Sequence, residues 1–473
     1  MGLQKHAEQI YPRLPIWAQN ALISVQGTIF RKQRYGAGFK TELAQLIAQA
    51  SRPRAELEQL QLDKLRAFLI HAQDTCPHYT AAFKQAGFDP HSLNSLSDLQ
   101  HCPILEKDTL RRETDRIAST KYDPKSLNKS FTSGTTGTPI SVAFTPADTR
   151  TRFATLQRMF AQFDIPLLPK SVRFSGRTLF PNAQQTKVFW RMNWPMRQML
   201  MSSYNLKSEN LLTYVDRLIT YEPELIDGYP SAIYILARFI NAHGLAGKIT
   251  PRLIMTTAET LEPFQREEIA AAFGDCPILN QYASSEGAPF ITQDINGDLV
   301  INTDSGVFEF VRAGTDIPAQ AGETAEMLVT SFTTHAYPLI RYRIGDSVTL
   351  PDPARHAKSW DMPVVQSITG RQEDILHTTE RGYVGRLDPV FKKTPSTIVE
   401  CQIEQTAPMA ITLRVVPDTR AGFKDTDLDG VRSELLARLG AVEITTEHHQ
   451  SLPRGTNGKL RAVIGMKDNS PHS

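Results

Sequence analysis

The stretch SFTSGTTGTPIS, residues 130–141, packs Thr132, Ser133, Gly134, Thr135, Thr136 and Gly137 ahead of Pro139. Glycines let a backbone approach an anion closely, and successive N–H groups form an anion-binding concavity to which hydroxyls add donors. The GxxxxGK[ST] pattern of a Walker loop is absent, because Thr138 and Pro139 follow Gly137. The alternative is a polar loop between two strands.

Four other stretches carry complementary chemistry. In NQYASSEG, Tyr282 offers a face for a base or aromatic ring, Ser285 a hydroxyl for a phosphate oxygen, and Glu286 a hard oxygen ligand for Mg2+. YPLIRYRIGDSV delivers Asp346 just after Gly345, where a carboxylate suits a pair of ribose hydroxyls. ITGRQEDIL supplies Arg371, suited to phosphate or ribose contacts. PRGTNGKLR sets Lys459 behind a glycine-rich turn, a cation fit to offset charge on a transferring phosphoryl group. Singly, each reads equally well as a solvated turn, a turn cap, a linker ion pair or an exposed hairpin lysine.

The elements that position these stretches follow from periodicity. TELAQLIAQA, RAELEQLQLDKLRAFLIHAQ and YTAAFKQAG place apolar residues three and four apart, which predicts helices, the last closed by Gly87. SLSDLQHCPILEKDTLRRE predicts a short helix, a break at Pro103 and a second helix. From about residue 129 to 370, apolar runs such as PELIDGY, RLIMTTAE and PILNQYAS alternate with helical patterns such as SAIYILARFINAHG, which predicts an α/β architecture with crossover units. Beyond it, TIVECQIEQ, PMAITLRVVPD, a helix ended by Gly440 and two later strands predict a compact α+β domain of about a hundred residues. The expected division is therefore residues 1–371, comprising a mostly helical leader (1–128) and a nucleotide- and acyl-binding core (129–371), followed by a small C-terminal domain, 372–473.

Composition narrows the class. The 473 residues carry a formal charge of +2, which gives no electrostatic argument for nucleic acid. The four cysteines, Cys76, Cys102, Cys276 and Cys401, form no CxxC pair, so a reduced, cytoplasmic protein without a zinc site is expected. No apolar run is long enough for a transmembrane segment, and the first residues lack a secretory pattern. IWAQNALISVQGTIFRKQRYG reads either as a helix capping the domain or as a membrane-surface helix peripheral to the inner face of a membrane.

In order and spacing, TSGTTGTP, YASSEG, RYRIGD, TGRQED and PRGTNGK resemble the core motifs of the adenylate-forming superfamily of acyl-CoA synthetases and adenylation domains. The leader PHYTAAFKQAGFDPHSLNSLSDLQHCPILEKDTLR is similar to that of phenylacetate–CoA ligase-like proteins, notably those of capsular polysaccharide biosynthesis. The resemblance implies a large multi-subdomain N-terminal adenylation domain and a small mobile C-terminal lid. It implies that Thr132, Ser133, Gly134, Thr135, Thr136 and Gly137 hold the ATP phosphates. Ala258 and Glu259 of TTAET would line the adenine pocket, Tyr282 would stack on adenine and Ser285 would meet the α-phosphate. Glu286 would bind Mg2+, Asp346 would hold the ribose and Arg371 would contact ribose or phosphate. Glu373 would lie at the hinge. Lys459 would bond the acyl carboxylate and α-phosphate during adenylation. Tyr229, Pro230 and Ser231 of DGYPS would line the acyl pocket, with Tyr204 and Trp190 as further candidate walls or simply core aromatics.

The implied activity is ATP-dependent activation of a small-molecule carboxylic acid, followed by transfer to a thiol, with coenzyme A as the expected co-substrate. Transfer to a carrier protein, an amine or a sugar hydroxyl of a polysaccharide-assembly machinery is the competing reading, and a nucleotide-binding scaffold a third. Ala283 stands where the family often has glycine, Ser285 where it has threonine, and Ile344 where threonine is frequent; the hydroxyl at 285 is kept. Neither the acid nor the oligomeric state follows from these motifs.

Overall fold

A computed structural model of the chain describes residues 11–131, 141–175, 179, 187–203, 205–206, 209–274, 276–371, 376–378, 382–384, 387–391, 393–395, 397–418, 421–454 and 460–466. They divide into two compact units. One comprises Met1–Val25, Leu168–Ile278 and Thr369–Ser473; the other comprises Gln26–Leu167 and Leu279–Ile368.

The leader is helical, as its periodicity predicts: α1 (Ile16–Tyr35), α2 (Phe39–Ala50), α3 (Arg54–Thr75) and α4 (Pro77–Ala86). Gly87 ends α4 at φ +64°, a left-handed cap that glycine adopts without strain. In α1 the inward side is polar. Gln19 accepts from the buried Arg191, Asn20 accepts from the Met192 amide, and Ser24 bonds the backbone at Met192 and Trp194. Trp17, Leu22, Val25 and Ile29 stay exposed, Trp17 at 72%. Ile23 packs against the unit's core, while much of the helix's apolar surface lies on the outer side.

After the leader come a hairpin, β1 (Asn128–Phe131) and β2 (Ser141–Phe144), and then α5 (Pro146–Ala161), opened by a Thr145–Asp148 capping box. Crossover units follow: β3 (Ser171–Ser175), β4 (Trp190–Asn193), β5 (Gln198–Ser202), α6 (Leu211–Tyr221), β6 (Leu225–Gly228), α7 (Pro230–Ala242), β7 (Leu253–Thr257) and α8 (Pro263–Phe273). In the first unit β7, β6, β3 and β5 lie side by side and parallel, with β4 antiparallel on β5. Their apolar runs are buried on both faces, as parallel strands covered by helices require.

In the second unit β8 (Ile278–Tyr282), β9 (Ile291–Gln293) and β10 (Leu299–Ile301) form an antiparallel strip. A meander of β11 (Gly306–Val311), β12 (Thr324–Ser331) and β13 (Tyr342–Thr349) follows. Leu65, Phe68 and Leu69 of α3 share one core with Met327, Val329 and Tyr342, so the leader is part of this unit's packing. Buried Arg158 of α5 pairs with Asp304. Burial pushes that carboxyl's pKa up, but the guanidinium outweighs it and the net shift is downward.

The C-terminal segment gives β14 (Ile398–Ala407), β15 (Ala410–Pro417), α9 (Asp429–Leu439), β16 (Glu443–His448) and β17 (Val463–Ile464). β15 is antiparallel to β14 and parallel to β16, and β17 runs parallel to β14 over two residues, Val463 and Ile464. The predicted hinge around Glu373 lies outside the described residues.

Candidate active site

Ligands of open α/β sheets bind outside the carboxyl ends of the strands, and in the first unit the candidate residues lie there. β6 runs out at Gly228. Tyr229 occupies the cap position of α7, Pro230 its first turn, and Ser231 follows, buried. The Ser231 hydroxyl is buried without a hydrogen-bond partner among the described residues. Tyr229 belongs to the unit's core, and Trp190 packs against that core; Tyr204 lies outside the described residues.

β7 ends at Thr257, and Ala258 then takes φ +72°, a left-handed conformation that costs a side-chain-bearing residue about 1–3 kcal/mol. This kink precedes Glu259, whose carboxylate makes two described hydrogen bonds. Oε2 accepts from the Ser231 amide at 3.1 Å, and Oε1 accepts from the Leu460 amide at 3.0 Å. Glu259 thus satisfies an orphan donor in the first turn of α7 and holds the residue that follows Lys459. Lys459 itself lies outside the described residues.

In the second unit β8 and β13 bring Tyr282 and Asp346 together: the Tyr282 hydroxyl donates to Asp346 Oδ2 at 2.7 Å. The Tyr282 ring packs edge-on against Phe308. Beyond Tyr282 the chain turns tightly. The Gly287 amide donates to the Ser284 carbonyl at 3.2 Å, and the Ala288 amide to Ser284 Oγ at 3.0 Å. Gly287 has φ +103°, and a Cβ there would lie 2.6 Å from Phe144 Cε1 and 2.7 Å from Thr334 Cγ2. The turn carries Ser285 and Glu286. Glu286 is only 6% exposed. A buried carboxylate is costly unless something compensates its charge, and a hard oxygen ligand of this kind suits a divalent ion. No group of three or more His, Cys, Asp or Glu residues fit for a metal occurs among the described residues.

Sequence reasoning missed what holds this turn. Arg152 of α5 donates through Nη1 to the Gly287 carbonyl (2.9 Å), the Ala288 carbonyl (3.0 Å) and Thr333 Oγ1 (2.9 Å), and Ser331 Oγ donates to the Gly287 carbonyl at 2.6 Å. The guanidinium lies over the Phe290 ring at 4.4 Å. Burial pulls its pKa down to about 10, and Asp148 partly offsets this. Asp148 also bonds His335 through both ring and amide. The four-residue spacing of Asp148 and Arg152 puts both on one face of α5 but does not point to Gly287.

The loop residues Thr132, Ser133, Gly134, Thr135, Thr136 and Gly137 lie outside the described residues, as does the side chain of Arg371, which ends the strand Ser367–Arg371.

The CapK C-terminal domain family matches residues 376–466. Over 460 residues the chain is 32% identical to Protein CapK of Staphylococcus aureus, covering 96% of this chain and 98% of that protein. The chain belongs to the CapK family. It is also 26% identical over 330 residues to phenylacetate-coenzyme A ligase of Escherichia coli (strain K12), covering 68% of this chain and 72% of that one. The CapK family member described here therefore sits in the phenylacetate–CoA ligase-like branch of the adenylate-forming superfamily. Its fold is shared with a 2-hydroxyisobutyryl-CoA ligase crystal structure in the postadenylation state, at a TM-score of 0.69 and 18% identity over 89% of this chain and 92% of that one.

Proposed function

We propose that this chain is an AMP-forming ligase that activates a carboxylic acid with ATP and transfers the acyl group to a thiol, with coenzyme A as acceptor. The observation that carries the reading is the buried carboxylate of Glu286, on the turn that follows Tyr282, whose hydroxyl is paired with Asp346. Near full-length kinship to the CapK family and the names of its ligase relatives support it.

In this reading a substrate carboxylate oxygen attacks the ATP α-phosphorus, a new P–O bond forms, and the bond to pyrophosphate breaks. Positioning and electrostatics do most of the work in such a transfer. Mg2+, held by Glu286, would offset phosphate charge. Asp346 would bond the ribose, oriented by the Tyr282 hydroxyl, and Ser285 would donate to the α-phosphate. The Ser231 hydroxyl, buried without a partner, would donate to the acyl substrate beside Tyr229 and Pro230. Lys459 would bond the carboxylate and α-phosphate, and the 132–137 loop the remaining phosphates. A thiolate then attacks the acyl carbon and AMP leaves. Between the two steps the C-terminal domain, 372–473, would rotate about Glu373. Pyrophosphate exchange across a panel of acids, followed by coenzyme A consumption, tests the reading. Exchange with no coenzyme A turnover would favour a carrier-protein, amine or sugar-hydroxyl acceptor in polysaccharide assembly.

The exposed face of α1 supports a peripheral membrane location. Trp17, Leu22, Val25 and Ile29 are exposed, and residues 11–41 contain Arg13, Arg31, Lys32, Arg34 and Lys40 with no acidic residue. Such a face suits the headgroup region of an anionic bilayer. The full chain is expected to float with phosphatidylglycerol vesicles and Trp17→Glu to remain in solution; equal flotation of both would rule this location out.

A further inference from the structure

We propose that Glu259 is a positioning residue for adenylation, one that fixes the backbone next to Lys459 to the first turn of the helix behind the acyl pocket. This rests on the ligase reading above and adds a role that an adenine-pocket contact does not include.

The two oxygens of Glu259 are divided between two elements. Oε2 takes the Ser231 amide in α7, and Oε1 takes the Leu460 amide, 201 residues farther along the chain. A carboxylate accepts both bonds without rearranging, and an ionised acceptor makes each of them stronger than a neutral one. Glu259 follows the left-handed Ala258, where the chain turns at the end of β7. Leu460 is itself seated, buried in a small apolar cluster with Val416 and Leu452.

Arg454, the last described residue before Leu460, is held within the C-terminal segment. Arg454 makes a buried ion pair with Glu400 of β14 at 2.6 Å, and Glu400 Oε2 accepts from the Leu452 amide at 3.2 Å. Arg454 and Glu400 both belong to the C-terminal segment, whereas Glu259 belongs to the crossover core. If the C-terminal domain turns between half-reactions, the Arg454–Glu400 pair travels with it and the Glu259–Leu460 bond must break. Glu259 therefore acts in the first half-reaction and not in the second, and it ties lysine placement to the helix that presents Ser231.

The test uses the full chain and three readouts. In Glu259→Ala, hydrogen exchange at the Leu460 amide, measured without nucleotide, is expected to speed up at least about tenfold. Acid-dependent pyrophosphate exchange is expected to fall about ten- to a hundredfold in kcat, with the KM for ATP changed less than about threefold. Thioester formation from a supplied acyl-adenylate is expected to fall at least about fivefold less than pyrophosphate exchange does. Glu259→Gln keeps the shape and one acceptor, so it should fold and lie between wild type and Glu259→Ala in the first two readouts. An unchanged Leu460 amide would overturn the contact. A raised KM for ATP with kcat intact would overturn the positioning role and leave Glu259 a nucleotide contact. Equal loss in both half-reactions would also overturn it. If the wild-type chain exchanges pyrophosphate with no acid, the ligase reading fails, and the Leu460 amide still decides the contact.

Discussion

Around Glu286 the backbone is gripped from several sides. Arg152 and Ser331 meet at the Gly287 carbonyl, Ser284 folds back on two amides, and Phe144 and Thr334 close on a glycine that has no room for a side chain. At Leu460 the described hold from the core is one hydrogen bond to one carboxylate. The first arrangement is over-determined and suits a group that must stay in place through both half-reactions. The second can be made and unmade at a cost of about 0.5–1.5 kcal/mol, or somewhat more for a charged acceptor. That suits a residue needed for only one of them.

The contrast can be broken by substitution, and the largest effect is expected at Lys459. Lys459→Ala should reduce acid-dependent adenylation by about a hundred- to a thousandfold, the scale of losing one charge-stabilising group. Thermal stability and thioester formation from supplied acyl-adenylate should change little; undiminished adenylation would remove Lys459 from the account. Gly287→Ala should show the opposite pattern. A Cβ there meets Phe144 and Thr334 below 3 Å at a φ of +103°, so stability should fall by about 1–3 kcal/mol in a denaturant titration, with adenylation lost through the displaced turn. A Gly287→Ala protein as stable as wild type would mean that the turn is not rigid, and the comparison would lose one of its sides.

The sequence carried more of the chemistry than of its support. Tyr282, Glu286 and Asp346 could be proposed from residue type together with the order of the short motifs, and the long helices could be read because a 3.6-residue period survives without tertiary help. What holds those loops was not legible. Arg152 reaches Gly287 across 135 residues and Glu259 reaches Leu460 across 201, and no local pattern encodes a contact at that range. The sequence left two readings open for α1, and its orientation depends on contacts no local pattern encodes: Gln19, Asn20 and Ser24 accept hydrogen bonds from the β4 region, beside Ile23 on the core. Ser231 is proposed for an acyl pocket, and the identity of the acid depends on a cavity shape that short motifs do not specify.

The account stands most directly on one measurement: exchange of labelled pyrophosphate into ATP by the purified full chain, with Mg2+, across a broad panel of carboxylic acids. At least one acid is expected to drive exchange well above the acid-free background, and Glu286→Gln to abolish it. ATP binding with no acid-dependent exchange anywhere in the panel would contradict the account and leave a nucleotide-binding protein that performs no adenylation.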